Sequence, residues 1–125
     1  MPLTVESRLE DDIAILELAG SFTLGPALAS FRTATQNLLG SAKLRGIVLV
    51  ISGLTAVDSS GLGEFTFLYT SASRRGCALC IVGPNQLLRG MLEITRLDAL
   101  LPEAPDLETA KNQLRARSNS KAARA

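Results

Sequence analysis

The sequence contains no histidine and no tryptophan among its 125 residues. Without histidine, it lacks the usual general base for a serine or cysteine nucleophile and the commonest ligand for zinc or iron. No pair of acidic residues stands out at the end of a predicted strand, and no glycine-rich phosphate loop with a lysine is present. The residues therefore indicate no catalytic centre, no metal site and no cofactor.

Cysteine is scarce, and the only two, Cys77 and Cys80, have the C-x-x-C spacing. In redox motifs of this spacing the first thiol lies at a helix N-terminus, which stabilises its thiolate. Here the pair begins an apolar run, and residues three apart on a strand point to opposite faces of the sheet. We therefore expect two reduced, buried or half-buried cysteines.

Long apolar runs are also missing. No stretch approaches the roughly 18 apolar residues of a membrane span, and no basic start is followed by the apolar run of a secretory signal. We therefore expect a cytoplasmic protein without direct membrane contact. Four of the basic residues follow Leu114, so the preceding chain is mildly acidic, which argues against direct nucleic-acid binding.

The chain does contain a regular alternation of strand-like and helix-like segments. Residues 3–9 and 13–18 alternate at period two and predict a hairpin with one buried face. Residues 47–51 are apolar throughout and rich in β-branched side chains, as in a central strand covered on both faces. Residues 78–82 predict a further strand, and residues 97–101 predict one at the edge of the sheet.

The apolar spacing between these strands predicts four helices. The first begins near Pro26, and Asp106 is expected to cap the last. Strands that alternate with helices predict a single α/β domain over residues 1–114, with a mixed sheet of about four to five strands. The basic segment 115–125 is expected to be a disordered tail.

The segment from Val57 to Gly63 is the most informative, because it joins an apolar strand to a helix. It places the hydroxyls of Ser59 and Ser60 at a helix N-terminus, where free backbone N–H groups and the helix dipole favour an added phosphate. Asp58 is a candidate helix cap. The residues alone leave open whether the segment is modified or is only an N-cap turn, and which serine would be modified.

Two glycines in this segment need an explanation other than helix stability. Gly61 and Gly63 each cost about 1 kcal/mol of helix propensity relative to alanine. Because glycine lacks a Cβ atom, we expect both positions to permit the close approach of a partner or kinase.

Residues 49–63, with the sequence LVISGLTAVDSSGLG, resemble a segment of the anti-sigma factor antagonists, a bacterial family built on the STAS domain. The resemblance extends in element order over roughly residues 3–114. It implies a STAS-type sheet with helices packed mainly on one side. It also implies a non-enzymatic module that sequesters an anti-sigma factor, itself a serine kinase, and so regulates sigma-factor-dependent transcription.

By position in the motif, the resemblance implies that Ser60 is the phosphorylated residue. Phosphorylation would release the partner, and a serine phosphatase would reset the cycle. The residues expected to bind the partner surround this serine: Asp58, Ser59, Gly61, Leu62 and Gly63. Of these, Leu62 fits a core position better than a contact.

The loop expected after the second strand departs from the family pattern. Family members often have Gly-Glu-Leu-Asp there, whereas this chain has Gly20-Ser21-Phe22-Thr23, with no acidic residue. Ser21, Phe22 and Thr23 are therefore candidate partner contacts, and the missing acid predicts a different partner or affinity.

Two other functions remain open at this stage. The chain could be a STAS-like structural subunit of a membrane transport complex, in which phosphorylation plays no role. A small enzyme with Ser60 as nucleophile would need a lysine base, but Lys43, Lys111 and Lys121 all lie far from the motif in sequence. A monomeric binding module, not an enzyme, is the expectation.

Overall fold

A computed structural model describes the backbone of residues 1–124 and the side chains of residues 1–116. Five strands form one mixed sheet in the order β1-β2-β3-β4-β5, in which only β1 and β2 are antiparallel. The elements in chain order are β1 (Thr4–Glu10), β2 (Ile13–Phe22), α1 (Pro26–Ser41), β3 (Gly46–Val57), α2 (Ser59–Arg74), β4 (Ala78–Val82), α3 (Gln86–Ile94), β5 (Glu103–Ala104) and α4 (Leu107–Arg124). The predicted α/β class and strand number are confirmed.

The helices cover the two faces of the sheet unequally. Helices α1, α2 and α3 pack on one face over the larger apolar cluster, while α4 packs on the other face over a smaller one. In β3, Ile47 and Leu49 belong to the larger cluster and Val48 to the smaller, and all three are fully buried. The central position of β3 and the packing of most helices on one side of the sheet are therefore as predicted.

The predicted hairpin is confirmed, because β1 pairs with β2 in antiparallel orientation, but the prediction that it has one buried face is wrong for both strands. Strand β1 is exposed along almost its whole length, whereas the first half of β2 is buried on both faces. Ile13 and Ile15 belong to the cluster under α4, and Ala14 and Leu16 to the cluster on the opposite face. The two strands differ in burial because β2 lies inside the sheet, between β1 and β3, whereas β1 lies at its edge.

The predicted edge strand over residues 97–101 is also wrong. The backbone N–H groups of Leu100 and Leu101 both donate to the carbonyl of Leu97, so this segment forms turns. Leu97 and Leu101 pack against the core from these turns, whereas Leu100 is exposed. The edge strand is instead β5, in which Ala104 pairs with Val82. Local backbone hydrogen bonds thus replace strand pairing in the apolar run.

Asp106 caps α4 as predicted, because its Oδ1 atom accepts a hydrogen bond of 2.7 Å from the Thr109 N–H. Helix α4 continues through residues 115–124 of the predicted tail, and the side chains of residues 117–125 lie outside those that the structure describes. Disorder of this segment in solution stays a prediction. None of the helices within residues 1–124 combines the length and apolar character needed to cross a bilayer.

Candidate functional site

The N-terminus of α2 is held in place by the carboxylate of Asp58, the N-cap residue. Its Oδ1 atom accepts a hydrogen bond of 2.9 Å from the Gly61 N–H, which is the predicted cap. Its Oδ2 atom accepts one of 3.0 Å from the Leu24 N–H, in the connection between β2 and α1. One carboxylate therefore joins the start of α2 to the start of α1. These donors, that of Leu24 foremost, lower the pKa of Asp58.

The lowered pKa makes the stabilising contribution of Asp58 depend on pH. It is fully present above the unfolded-state pKa and is lost as the pH falls through the lower folded-state value. Asn in place of Asp58 keeps a capping oxygen but does not titrate. We therefore expect the difference in free energy of unfolding between wild type and Asp58→Asn to be constant from pH 7 to pH 5 and to shrink below about pH 4. Urea denaturation across this range measures it, and a difference that persists undiminished at pH 3 would contradict this role.

The two serines of the motif are both reachable from solvent. Ser59, the first residue of α2, is exposed, and Ser60, the second, is half-buried. Ser60 lies at the border of a groove between α1 and α2, with a volume of about 700 Å³. The hydroxyl is therefore not sealed beneath neighbouring side chains.

An ion pair crosses this groove one helical turn beyond Ser60. The Nε atom of Arg32, on α1, donates a hydrogen bond of 2.9 Å to the Oε1 atom of Glu64, on α2. Glu64 is only 4% exposed, and its Oε2 atom is buried without a hydrogen-bond partner. The guanidinium carbon of Arg32 also lies 3.8 Å from the centre of the Phe67 ring. The groove thus contains a buried carboxylate beside a half-exposed arginine and aromatic ring.

The two glycines of the motif have different structural roles. A Cβ atom on Gly61 would lie 2.1 Å from the backbone oxygen of Phe22, so α2 approaches β2 too closely for any side chain there. A Cβ atom on Gly63 would meet nothing within 4 Å, and Gly63 lines the groove. The close approach at Gly61 is therefore internal to the fold, whereas Gly63 leaves open space on the groove side.

The three candidate contacts after the second strand do not share one environment. Phe22 is the last residue of β2 and fully buried, with its ring stacked on Phe65 at 4.8 Å and edge-on to Phe31 at 5.1 Å. Its side chain therefore offers no surface to a partner, and β2 extends past the point where a loop was predicted. Ser21 and Thr23 are half-buried.

The remaining candidate, Leu62, is 6% exposed and belongs to the core. The groove residues that the sequence did not indicate include Leu24, Arg32, Glu64 and Phe67. Ser60, Glu64 and Phe67 are spaced by four and three residues along α2. This spacing is the one sequence signal that would have placed them on the same helix face. Nothing local connects Arg32 to them, because it lies on a different helix.

The two cysteines are buried on opposite faces of the sheet, as their spacing predicts. Cys77 packs in the cluster under α1, α2 and α3, and Cys80 in the cluster under α4. Burial raises the pKa of each thiol to about 11, which disfavours the reactive thiolate. Within the described residues, no group of three or more His, Cys, Asp or Glu side chains is placed to hold a metal ion.

Neither lysine whose side chain is described lies near Ser60. Lys43 is exposed in the connection between α1 and β3. Lys111 lies on α4, against the opposite face of the sheet, where it pairs with Glu10 at 2.8 Å and Glu108 at 3.1 Å. Neither is placed to act as a base for this serine, and Lys121 lies outside the described side chains.

Comparison with known proteins identifies the fold. A family model described as "Mlab, STAS domain" matches residues 5–102. No curated protein matches the sequence at a significant level. An anti-sigma factor antagonist from Mycobacterium paratuberculosis has the same fold, with 18% identity, a TM-score of 0.78, and coverage of 91% of this chain and 95% of its own.

Two further proteins of known structure share the fold. SpoIIAA of Bacillus in its phosphorylated form is 15% identical, with a TM-score of 0.71 over 89% of this chain and 99% of its own. Its unphosphorylated form, also 15% identical, has a TM-score of 0.70 over 91% and 98%. SLC26A9 is 15% identical, with a TM-score of 0.72 over 88% of this chain but only 21% of its own. At these identities the likeness shows the fold alone.

Proposed function

The chain belongs to the STAS-domain family, and from this premise we propose that it is an anti-sigma factor antagonist controlled by phosphorylation of Ser60. Its proposed partners are an anti-sigma factor with serine kinase activity, which it sequesters, and a serine phosphatase, which resets it. It acts by binding in the cytoplasm, without catalysis, and so regulates sigma-factor-dependent transcription.

The position of Ser60 carries this proposal. The serine combines access from solvent, a helix N-terminus and the border of a groove. The positive end of the helix dipole favours a phosphate in the first turn of α2, where Asp58 already accepts hydrogen bonds from the N–H groups of Gly61 and Leu62. Because Ser60 is only half-buried, the domain need not unfold to accept the phosphate. The similar fold of SpoIIAA in its phosphorylated and unphosphorylated forms supports this argument.

The groove explains how a phosphate would change binding. A phosphoserine carries a charge of about −1.5 to −2. At Ser60 it would stand one helical turn from the buried carboxylate of Glu64, which Arg32 alone neutralises on the groove side. The groove lining carries Arg32 and Arg74 against Glu64, so a phosphate at Ser60 would change its net charge from positive to negative. A partner seated over Leu24, Gly63 and Phe67 would then meet an added anion, which repels acidic partner groups and is costly to cover with apolar ones.

The first test is the mass of the intact protein purified from its native host. We expect a mass increment of one phosphate in wild type and in the matched control Ser59→Ala, and none in Ser60→Ala. If the increment is retained in Ser60→Ala but lost in the control, the phosphorylated residue is Ser59, and the assignment to Ser60 is wrong.

The second test measures binding to an anti-sigma factor kinase from the same host by calorimetry. We expect Ser60→Asp to weaken binding at least about 100-fold, equivalent to about 2.8 kcal/mol. We expect Ser60→Ala to bind permanently in the presence of ATP, since it cannot be phosphorylated. Equal binding by the two variants would contradict the proposal.

The structural subunit of a membrane transport complex is the alternative that these variants distinguish. The same fold also forms about a fifth of the much longer SLC26A9 chain, so the fold by itself does not identify a function. If Ser60 variants leave all associations unchanged and the protein copurifies with a membrane complex, that alternative is favoured.

A further inference from the structure

The sheet has one long exposed edge. Strand β1 forms it with seven residues, and within the described chain no strand pairs with its outer side. The opposite edge, β5, has only two residues. A long edge strand presents unpaired backbone N–H and C=O groups, which form a template for a further strand. β1 is therefore the part of this fold most suited to strand addition.

The side chains of β1 divide into a charged face and an apolar face. Because side chains alternate along a strand, Glu6 and Arg8 share one face with Thr4 and Glu10. Val5 and Leu9, 42% and 57% exposed, share the other. The second set lines a groove of about 410 Å³ between β1 and α1.

We propose that β1 pairs in antiparallel orientation with β1 of a second copy of this chain, centred on Ser7. In this register Glu6 lies opposite Arg8 of the second copy, and Val5 lies opposite Leu9 of the second copy. Two-fold symmetry repeats each pair, so the strand is complementary to itself on both faces. Opposite charges and apolar side chains placed directly across from each other both stabilise strand pairing.

The neighbouring registers are unfavourable for the same reasons. Centring the pair on Glu6 places two Glu6 carboxylates opposite each other, and centring it on Arg8 places two guanidinium groups opposite each other. Val5 loses its apolar partner in both cases, since it lies opposite Ser7 in the first register and Asp11 in the second. Leu9 lies opposite Leu3, just outside the strand, in the first register and opposite Ser7 in the second. Charged residues on an edge strand usually prevent it from associating with another strand. In β1 the negative Glu6 and the positive Arg8 instead favour one register over its neighbours.

The proposed contact leaves the groove at Ser60 free. No residue lines both grooves, and the two lie on opposite flanks of α1. One strand pair of seven residues forms a small interface, so we expect a weak dimer favoured at high protein concentration. This replaces the monomer expected from the sequence, and it can fail or hold independently of the proposed anti-sigma partner.

Cross-linking tests the register. Directly opposite residues of an antiparallel pair have Cα atoms roughly 4.5–5.5 Å apart, which suits a disulfide. We expect Ser7→Cys to form a covalent dimer with oxidised glutathione at least about tenfold faster than the control Thr4→Cys, whose copies would be roughly 20 Å apart. The native thiols are buried, with pKa values of about 11, and do not compete. Equal rates, or no dimer from Ser7→Cys, would overturn the proposal.

Charge reversal tests the pairing without a new thiol. Glu6→Arg and Arg8→Glu each place like charges across the two-fold axis, so each variant alone should sediment as a monomer at concentrations where wild type dimerises. When the two are mixed, opposite charges face each other again, and a mixed dimer should form. Arg8 also pairs with Glu17 of its own chain, so melting curves must show both variants folded. No recovery on mixing would count against the proposed register.

Discussion

Replacing Gly61 by alanine is expected to destabilise the fold by about 3 kcal/mol, within the range of overpacking a close contact. The new Cβ atom would lie 2.1 Å from the backbone oxygen of Phe22 and 3.0 Å from both its ring and the Val57 side chain. The closest of these contacts is with a backbone atom of a fully buried residue, so no side-chain rotation can relieve it. Urea denaturation gives the free energy of unfolding.

Gly63→Ala is the matched control, because it makes the same chemical change two residues later. No atom lies within 4 Å of its Cβ position, so the gain in helix propensity should stabilise the protein by about 1 kcal/mol. The same variant adds a methyl group to the groove and should weaken partner binding while the fold is intact. Destabilisation of similar size in both variants would show that α2 does not approach β2 as described.

Phe22→Ala is expected to destabilise the fold by about 3–5 kcal/mol, the cost of truncating a buried aromatic ring. It removes the stacking on Phe65 and the edge contact with Phe31, and leaves a cavity where α1 and α2 meet the sheet. Thermal and urea denaturation measure the loss of stability. The dependence of the free energy of unfolding on urea concentration is compared with that of wild type.

Phe67→Ala provides the contrast, because the Phe67 ring is 37% exposed and borders the groove. Its loss removes the contact with the Arg32 guanidinium, which contributes about 0.5–1 kcal/mol at an exposed position. We expect this variant to lose more free energy of partner binding than free energy of unfolding. If Phe22→Ala instead unfolds near the wild-type midpoint and only binding changes, then Phe22 is a partner contact and its burial has been misassigned.

Local sequence features predicted the helix cap and the cysteine placement correctly because short-range geometry decides both. Asp58 caps α2 through a hydrogen bond to Gly61, three residues away. Cys77 lies directly before β4 and Cys80 within it, and they enter different clusters, as the alternation of side chains along an extended segment predicts.

The predictions that failed depend on neighbours distant in the chain. Period-two alternation in residues 13–18 was interpreted as one buried face, but two layers of helices bury both faces of this part of β2. The prediction of a loop over Gly20 to Thr23 fails at Phe22, because its pairing with Val57 in β3 continues the strand.

The sequence by itself determined the α/β alternation, the central strand and the serine at the start of α2, because each follows from periodicity or capping within a few residues. Only the tertiary structure decided which glycine faces β2, which phenylalanine lies in the core, and that Arg32 reaches Glu64 across the groove. Those contacts join residues more than 30 positions apart. Their geometry is set by how helices and strands pack together, which no local pattern encodes.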